Sequence, residues 1–520
     1  MIKIHEQWEK NKKLFFFALA SVFIWGFAAH GYAFTHSSFS HDSLSEFNAA
    51  FFGNIYKVQL GRFVVPFYRV VFRTNATMPW LIGCLSLLWL GLALFLTLKI
   101  FRIESRLMGF LAAGIFAVNT CVSALAATYI HDLDCNMFAL LCAVLAVWLW
   151  RRGKFTWLFG SVFIMLSLGI YQSFICAAVS LVIFACVLDL MEGESVGGVF
   201  FSGLRAIAMF ILGGIMYFAA VKIMTRLTGI GLLSGEFNSL DNAFELTVPT
   251  MLSLLKNTYL YWAKCLVTDH SAWSVNFVFF ANALLFLASL WAALRWAFSK
   301  KAKAGSVALA LLLVALLPLA MDIMYVLNQG KVHDLMNYSF WLVYLLALLL
   351  VGRTAENREN KGLAGKFAAA VRWLSMALVF ILLYGNVQSA NSFHLQKELE
   401  SDAFFSYMTR VMYRVEDCDD YIPGETPLVL VGQPEQIDEL AGFEGNSRVT
   451  GMRYNASPFS DNWVVRPRAY FEYVLNNPAI LADEKLWEDM QTDERVQDMP
   501  AYPEKGCIAM LDDVLVVKLG

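Results

Sequence analysis

FTHSSFSHDSLSEFNAAFFGNIYKVQLGRFVVPFYRVVFRTNATM, residues 34–78, separates the first two strongly apolar segments of the chain. It carries titratable groups of both signs. His36, His41, Asp42 and Glu46 come first, and Lys57, Arg62, Arg69 and Arg73 follow. The stretch is not patterned as a loop. Leu44, Phe47, Phe51 and Ile55 recur at helical spacing, and so do Phe63, Phe67 and Val70. Two short amphipathic helices with such faces are expected to lie along a membrane surface. Carboxylates followed by a row of cations, at the mouth of a membrane bundle, suit a reaction site for a phosphate-bearing lipid. A re-entrant hairpin that seals the bundle would use the same residues.

Working outward, the composition demands a membrane. Hydrophobic residues make up 58% of the chain, charged residues 16%, and mean hydropathy is +0.56. Soluble domains average about 45–50% apolar and about 25% charged. No basic tract points to nucleic acid, and no nucleotide-binding glycine loop is present. The cysteines show neither a CxxC pair nor a Cys/His metal spacing, so no metal or other cofactor is expected. After the charged head MIKIHEQWEKNKK, the first apolar run has no small-residue cleavage site and is expected to stay as a span.

Eleven apolar segments are expected to cross the membrane, at 14–33, 79–98, 107–128, 136–150, 155–171, 173–190, 200–224, 274–296, 305–326, 337–352 and 367–388. Basic clusters then fall on one side. They are Lys3 to Lys13, Lys99 to Arg106, Arg151 to Lys154, Lys300 to Lys303, and Arg353 to Lys366. The positive-inside rule puts these, with the N-terminus, in the cytoplasm, and the C-terminus outside. Past residue 390 acidic residues outnumber basic ones and turn signals appear. PLVLVG reads as a buried strand, and the closing CIAMLDDVLVVKLG as a hairpin turning at Asp512 and Asp513. The fold class expected is a mainly α, polytopic helix bundle over 1–389, with a small extracytoplasmic α/β domain over 390–520. Cys418 and Cys507 lie in that outer domain, where a disulfide and two free thiols are equally open.

Other groups are expected on the outer face. His131, Asp132 and Asp134 sit in a tight return between spans, where they would bind sugar or cap a helix. Tyr171 and Gln172 interrupt a long apolar run; they would hydrogen-bond sugar hydroxyls or simply break a hairpin. Lys331 and His333 offer cations in NQGKVHD, which is otherwise an ordinary wet loop. Asp322 and Lys222 lie near the outer ends of their spans, and ionisable side chains otherwise keep to span ends and away from the midplane, which speaks against an ion-coupled transporter.

SHDSLSEF with LGRFVVPFYR, then YIHDLDCNMFALL, SLGIYQSFI and GKVHDLMNYSFWLVYLLALL, resemble in their order the Gtr-type O-antigen glucosyltransferases. These are serotype-converting membrane enzymes of the wider GT-C superfamily. The closing MPAYPEKGCIAMLDDVLVVKL is similar to the end of bacterial members. The resemblance implies a polyprenyl-phosphate-linked sugar donor, typically glucose, and an extracytoplasmic glycan acceptor, with a donor synthase and a flippase as further partners. It implies a first-loop carboxylate as base, here Asp42 or Glu46. Arg62, Lys331 and His333 would bind the donor phosphate, and His41, His131, Asp132, Asp134, Tyr171 and Gln172 the sugar or acceptor. The chain departs from the family where paired acids are common, with His41-Asp42 instead, and in carrying Lys331 where Arg is common. A flippase of lipid-linked sugars, or a structural subunit of envelope glycan assembly, remains the alternative.

Overall fold

A computed structural model of the protein describes residues 2–36, 40, 43–44, 52–234, 247–267, 275–299, 302–356, 362–433, 443–450 and 465–520. Each apolar segment expected to span is helical. Among the described residues, nine helices are long and apolar enough to cross a membrane, or ten if Arg106–Ala117 and Thr120–Thr128 form one bent span. Thr156–Leu168 is a shorter apolar helix. The chain is therefore a multi-pass membrane protein. Val196–Thr228 turns Phe200, Phe201, Ile207, Ile211 and Ile215 outward, an arrangement that lipid tolerates and water would not.

Pro79–Ile100 packs between the first helix, Ile2–Thr35, and Ile130–Arg152, with Ile82, Leu90, Ala93 and Leu94 wholly buried at these contacts. The bent pair lies behind them, and its 43° break falls at Val118 and Asn119. Asn119 caps the second half, accepting from the Val122 amide at 3.0 Å. The carbonyls freed by the break are met by side chains from far along the chain. Tyr338 Oη donates to Phe116 O at 3.0 Å, His30 Nε2 to Ala117 O at 3.0 Å, and Asn386 Nδ2 to Val118 O at 3.1 Å. With Nε2 donating, His30 Nδ1 accepts from His394 Nε2, 3.3 Å away. Irregular backbone in a bilayer survives only where protein satisfies it, and three elements do so here.

The last span does not end where its apolar run ends. Gly362–Glu416 is one helix of 55 residues, and residue 390, where the composition changes, lies inside it. Beyond it stands a four-stranded sheet ordered β2-β1-β4-β3, formed by β1 Pro427–Val431, β2 Ile480–Leu481, β3 Ile508–Leu511 and β4 Val514–Lys518. β1 runs parallel to both of its neighbours, and β3 and β4 form the expected hairpin. Asp512 and Asp513 turn it with φ of 48° and 64°, the pair of left-handed conformations that a two-residue type I′ turn requires. Phe404, Met408, Val411 and Val415 of the long helix pack on this sheet, as does Leu44 from the stretch between the first two spans. Cys418 and Cys507 are free thiols, so the bridge the sequence left open is absent.

Candidate functional site

The 34–78 stretch supplies two short helices, Phe52–Gln59 and Val64–Phe72. The second is inverted relative to a helix in water. It exposes Phe67, Val70 and Val71 and buries Arg69. Apolar side chains facing out suit a helix at the membrane surface, while its cation turns inward to meet acid.

That acid comes from the start of Ile130–Arg152. Asp132 accepts from Arg69 Nη2 at 2.9 Å and from Lys57 Nζ, and His131 Nε2 stands 3.6 Å from the same carboxylate. Asp134 accepts from Arg73 Nε at 2.8 Å. Arg73 uses its remaining donors on Thr74 O, Ala76 O and His131 O. All of these side chains are buried. The return loop and the cation row are thus two halves of one platform.

Arg62 is placed by local backbone chemistry. Gly61, at φ 73°, ends the first short helix in a left-handed turn. The Gly61 amide donates to Val58 O at 2.9 Å and the Arg62 amide to Lys57 O at 2.8 Å. This is the Schellman pattern, which favours glycine at that position. The next amide but one, Val64, donates to Gly169 O at 2.9 Å. Gly169 has no room for a side chain, since an added Cβ would sit 2.7 Å from Val64 Cγ2 and 2.9 Å from the Phe63 ring. The contact brings Arg62 over the Tyr171 ring, 4.6 Å from guanidinium carbon to centroid. Arg62 Nε is buried with no hydrogen-bond partner. Gln172 is occupied otherwise, its Nε2 donating to Leu60 O and Tyr217 Oη, both at 3.1 Å.

Lys331 and His333 lie in the turn after Leu317–Leu327. Lys331 is exposed and His333 half-buried. Burial lowers the His333 imidazole below its ordinary value, against the pull of neighbouring Asp334. Cys121 Sγ donates to Leu335 O at 2.8 Å, which holds this turn against the bent span just before the return loop. From the first loop, Ser40 Oγ donates to Thr128 O, the last residue of that span. His41, Asp42 and Glu46 lie outside the described residues.

The structure therefore brings Arg62 to Tyr171, and His131, Asp132 and Asp134 to Lys57, Arg69 and Arg73. The sequence reading placed the last three cations in the row suited to a phosphate-bearing lipid but gave none of them an individual partner. Their sequence signal is a cation on a short apolar helix or at its end, where an unpaired charge would be costly. Among the described residues no group of His, Cys, Asp and Glu could hold a metal ion.

The fold and site define a polytopic membrane protein with a buried ion-pair platform at one end of its bundle. The sequence pattern of the glucosyl transferase GtrII family matches residues 31–353, and the chain belongs to that family. The match begins just before the first loop and ends with the helix after the Lys331–His333 turn. No curated protein matches the chain.

Proposed function

We propose that the protein transfers a hexose, glucose in the first instance, from a polyprenyl-phosphate donor to an extracytoplasmic cell-surface glycan. Transfer is of the GT-C type, inverting and independent of metal. Asp42 removes the proton from the acceptor hydroxyl as its oxygen attacks the anomeric carbon. The anomeric carbon–oxygen bond breaks, and negative charge collects on the departing lipid phosphate. Arg62 meets that charge with charge-assisted hydrogen bonds, Lys331 adds to the field, and His333 contributes as a neutral hydrogen-bond donor. Asp132 and Asp134 keep Lys57, Arg69 and Arg73 in place beneath the sugar, which His41, His131, Tyr171 and Gln172 help to orient.

The observation that carries this reading is Arg62 itself. It is fixed by a glycine turn and backed by an aromatic face, and its Nε–H is still unmatched. The test is the purified protein in vesicles with polyprenyl-phosphate glucose and a candidate glycan. Transfer with inverted anomeric configuration is expected. Asp322 favours the transporter alternative, because it is buried at a kink within a membrane helix and neither carboxylate oxygen has a hydrogen-bond partner. Movement of the lipid-linked sugar across the bilayer without any transfer would establish that alternative and overturn the enzyme.

A further inference from the structure

The turn carrying Lys331 and His333 is pinned from its outer side by the C-terminal part of the chain. Thr450 and Asp334 bond reciprocally. The Asp334 amide donates to Thr450 Oγ1 at 3.0 Å, while the Thr450 amide and hydroxyl donate to Asp334 Oδ2 at 2.6 and 2.8 Å. Four residues earlier, buried Asn446 bonds the long helix twice. Its Nδ2 donates to Gln396 Oε1 at 2.7 Å, and its Oδ1 accepts from Ser392 Oγ at 3.1 Å. Between these anchors, Val449 packs with Ala124 and Ala127 of the bent span, Phe393 of the long helix and Leu335 of the turn. The short strap 446–450 thus touches three elements that meet at the mouth of the bundle.

We propose that this strap is part of the transfer site, with Thr450 and Asp334 as positioning residues that hold the turn where Lys331 and His333 face the donor phosphate. This rests on the glycosyltransferase reading given above. The inner side of the turn is already tied, by Cys121 to Leu335 O and by Asn337 Nδ2 to Tyr261 Oη at 2.5 Å. Thr450 supplies the outer tie, directly beside His333. Gln329 and Gly330, with φ of 52° and 84°, close the preceding helix, the Gly330 amide donating to Tyr325 O at 2.7 Å and the Lys331 amide to Asn328 O at 3.0 Å. The backbone is thus fixed locally as far as Lys331, and Thr450 adds the tie beyond it. The C-terminal part of the chain is on this account a wall of the active site.

The test uses the full chain in vesicles. Thr450→Val removes the hydroxyl and keeps the amide and the shape, and Thr450→Ser restores the hydroxyl. The expected result for Thr450→Val is a donor KM raised about tenfold, which corresponds to about 1.4 kcal/mol. Its kcat should fall too, by less than the change in KM, because Lys331 meets both the ground-state phosphate and the charge that grows on it. Thr450→Ser should match the wild type, and Asn446→Ala should repeat the effect from the other anchor. A lower melting temperature for Thr450→Val with donor KM unchanged per folded molecule would show a merely structural tie and overturn the proposal. If the wild type transfers no sugar from any lipid phosphate, the glycosyltransferase reading fails, and the strap is then judged on binding of polyprenyl phosphate alone. Weaker binding in Thr450→Val than in Thr450→Ser would uphold it. Equal binding, or none by the wild type, would overturn it.

Discussion

Arg73 Nε and Asp134 Oδ2 lie 2.8 Å apart with both side chains wholly shielded, although 61 residues separate them in the chain. Removing one member of such a pair strands a charge in a poor dielectric, which typically costs about 3–5 kcal/mol. Asp134→Ala is therefore expected to lower the yield of folded protein and its melting temperature sharply. Arg73→Lys keeps the charge but loses the fork that also serves Thr74 O, Ala76 O and His131 O, so it should not rescue. Thermal unfolding of detergent-purified variants measures both. A melting temperature within experimental error of the wild type in Asp134→Ala would show that the pair does not hold the return loop.

The carboxylate proposed as base gives a different signature. Asp42→Asn keeps the side chain's shape and one oxygen but cannot take a proton, so insertion and donor binding should be normal. Turnover should fall by about 10²–10⁴-fold, the usual worth of general base catalysis. Glu46→Gln should be milder. The reverse ranking would move the base to Glu46, and full activity in both variants would sink the first-loop mechanism.

Arg62 should respond to shape as well as charge. Arg62→Lys retains a cation yet loses the planar group that lies on Tyr171 and the buried, unmatched Nε–H. A fall in kcat of about 10²-fold is expected, the scale seen when one donor to a developing negative charge is removed. Gly61→Ala should reproduce part of this loss, because its left-handed backbone strains any side chain and displaces Arg62. Equal turnover for Arg62→Lys and wild type would assign leaving-group stabilisation elsewhere.

Topology is open to a direct check. Eleven crossings with the N-terminus in the cytoplasm place reporters fused after Arg152 and after Val387 on opposite sides, cytoplasmic and external respectively. Two cytoplasmic signals would mean that one apolar helix, with Thr156–Leu168 the shortest, does not cross.

The helices were legible because lipid enforces long apolar runs, and the runs are the signal. The Asp512–Asp513 hairpin was legible too, since its turn residues announce their geometry. What stayed hidden was pairing at a distance. Nothing local to Asp132 or Asp134 reveals that Arg69 and Arg73 come to meet them. Sugar binding by the two acids was a reading of their loop alone, and the ion pairs are what it could not include. The continuation of the last span was hidden for another reason. SANSFHLQKELE, residues 389–400, is polar enough to look like the end of a helix, yet its buried members, Ser389, Ala390, Phe393, His394, Gln396 and Lys397, keep helical spacing. Val248–Val267 is a helix that a search for apolar runs passes over, because Lys256, Asn257 and Lys264 dilute it.

The 55-residue helix has one further consequence. A single stripe along it carries Asn386 to the broken span, Gln396 to the strap, and Phe404, Met408 and Val411 to the sheet. Each inserted or deleted residue would advance the chain by only about 1.5 Å but swing everything beyond it by about 100°. Between Asn386 and Phe404 the chain is therefore constrained in phase far more than in length. A loss or gain of seven residues returns the stripe to within about 20° of its course, whereas a change of one or two turns the sheet out of phase with the broken span and the strap.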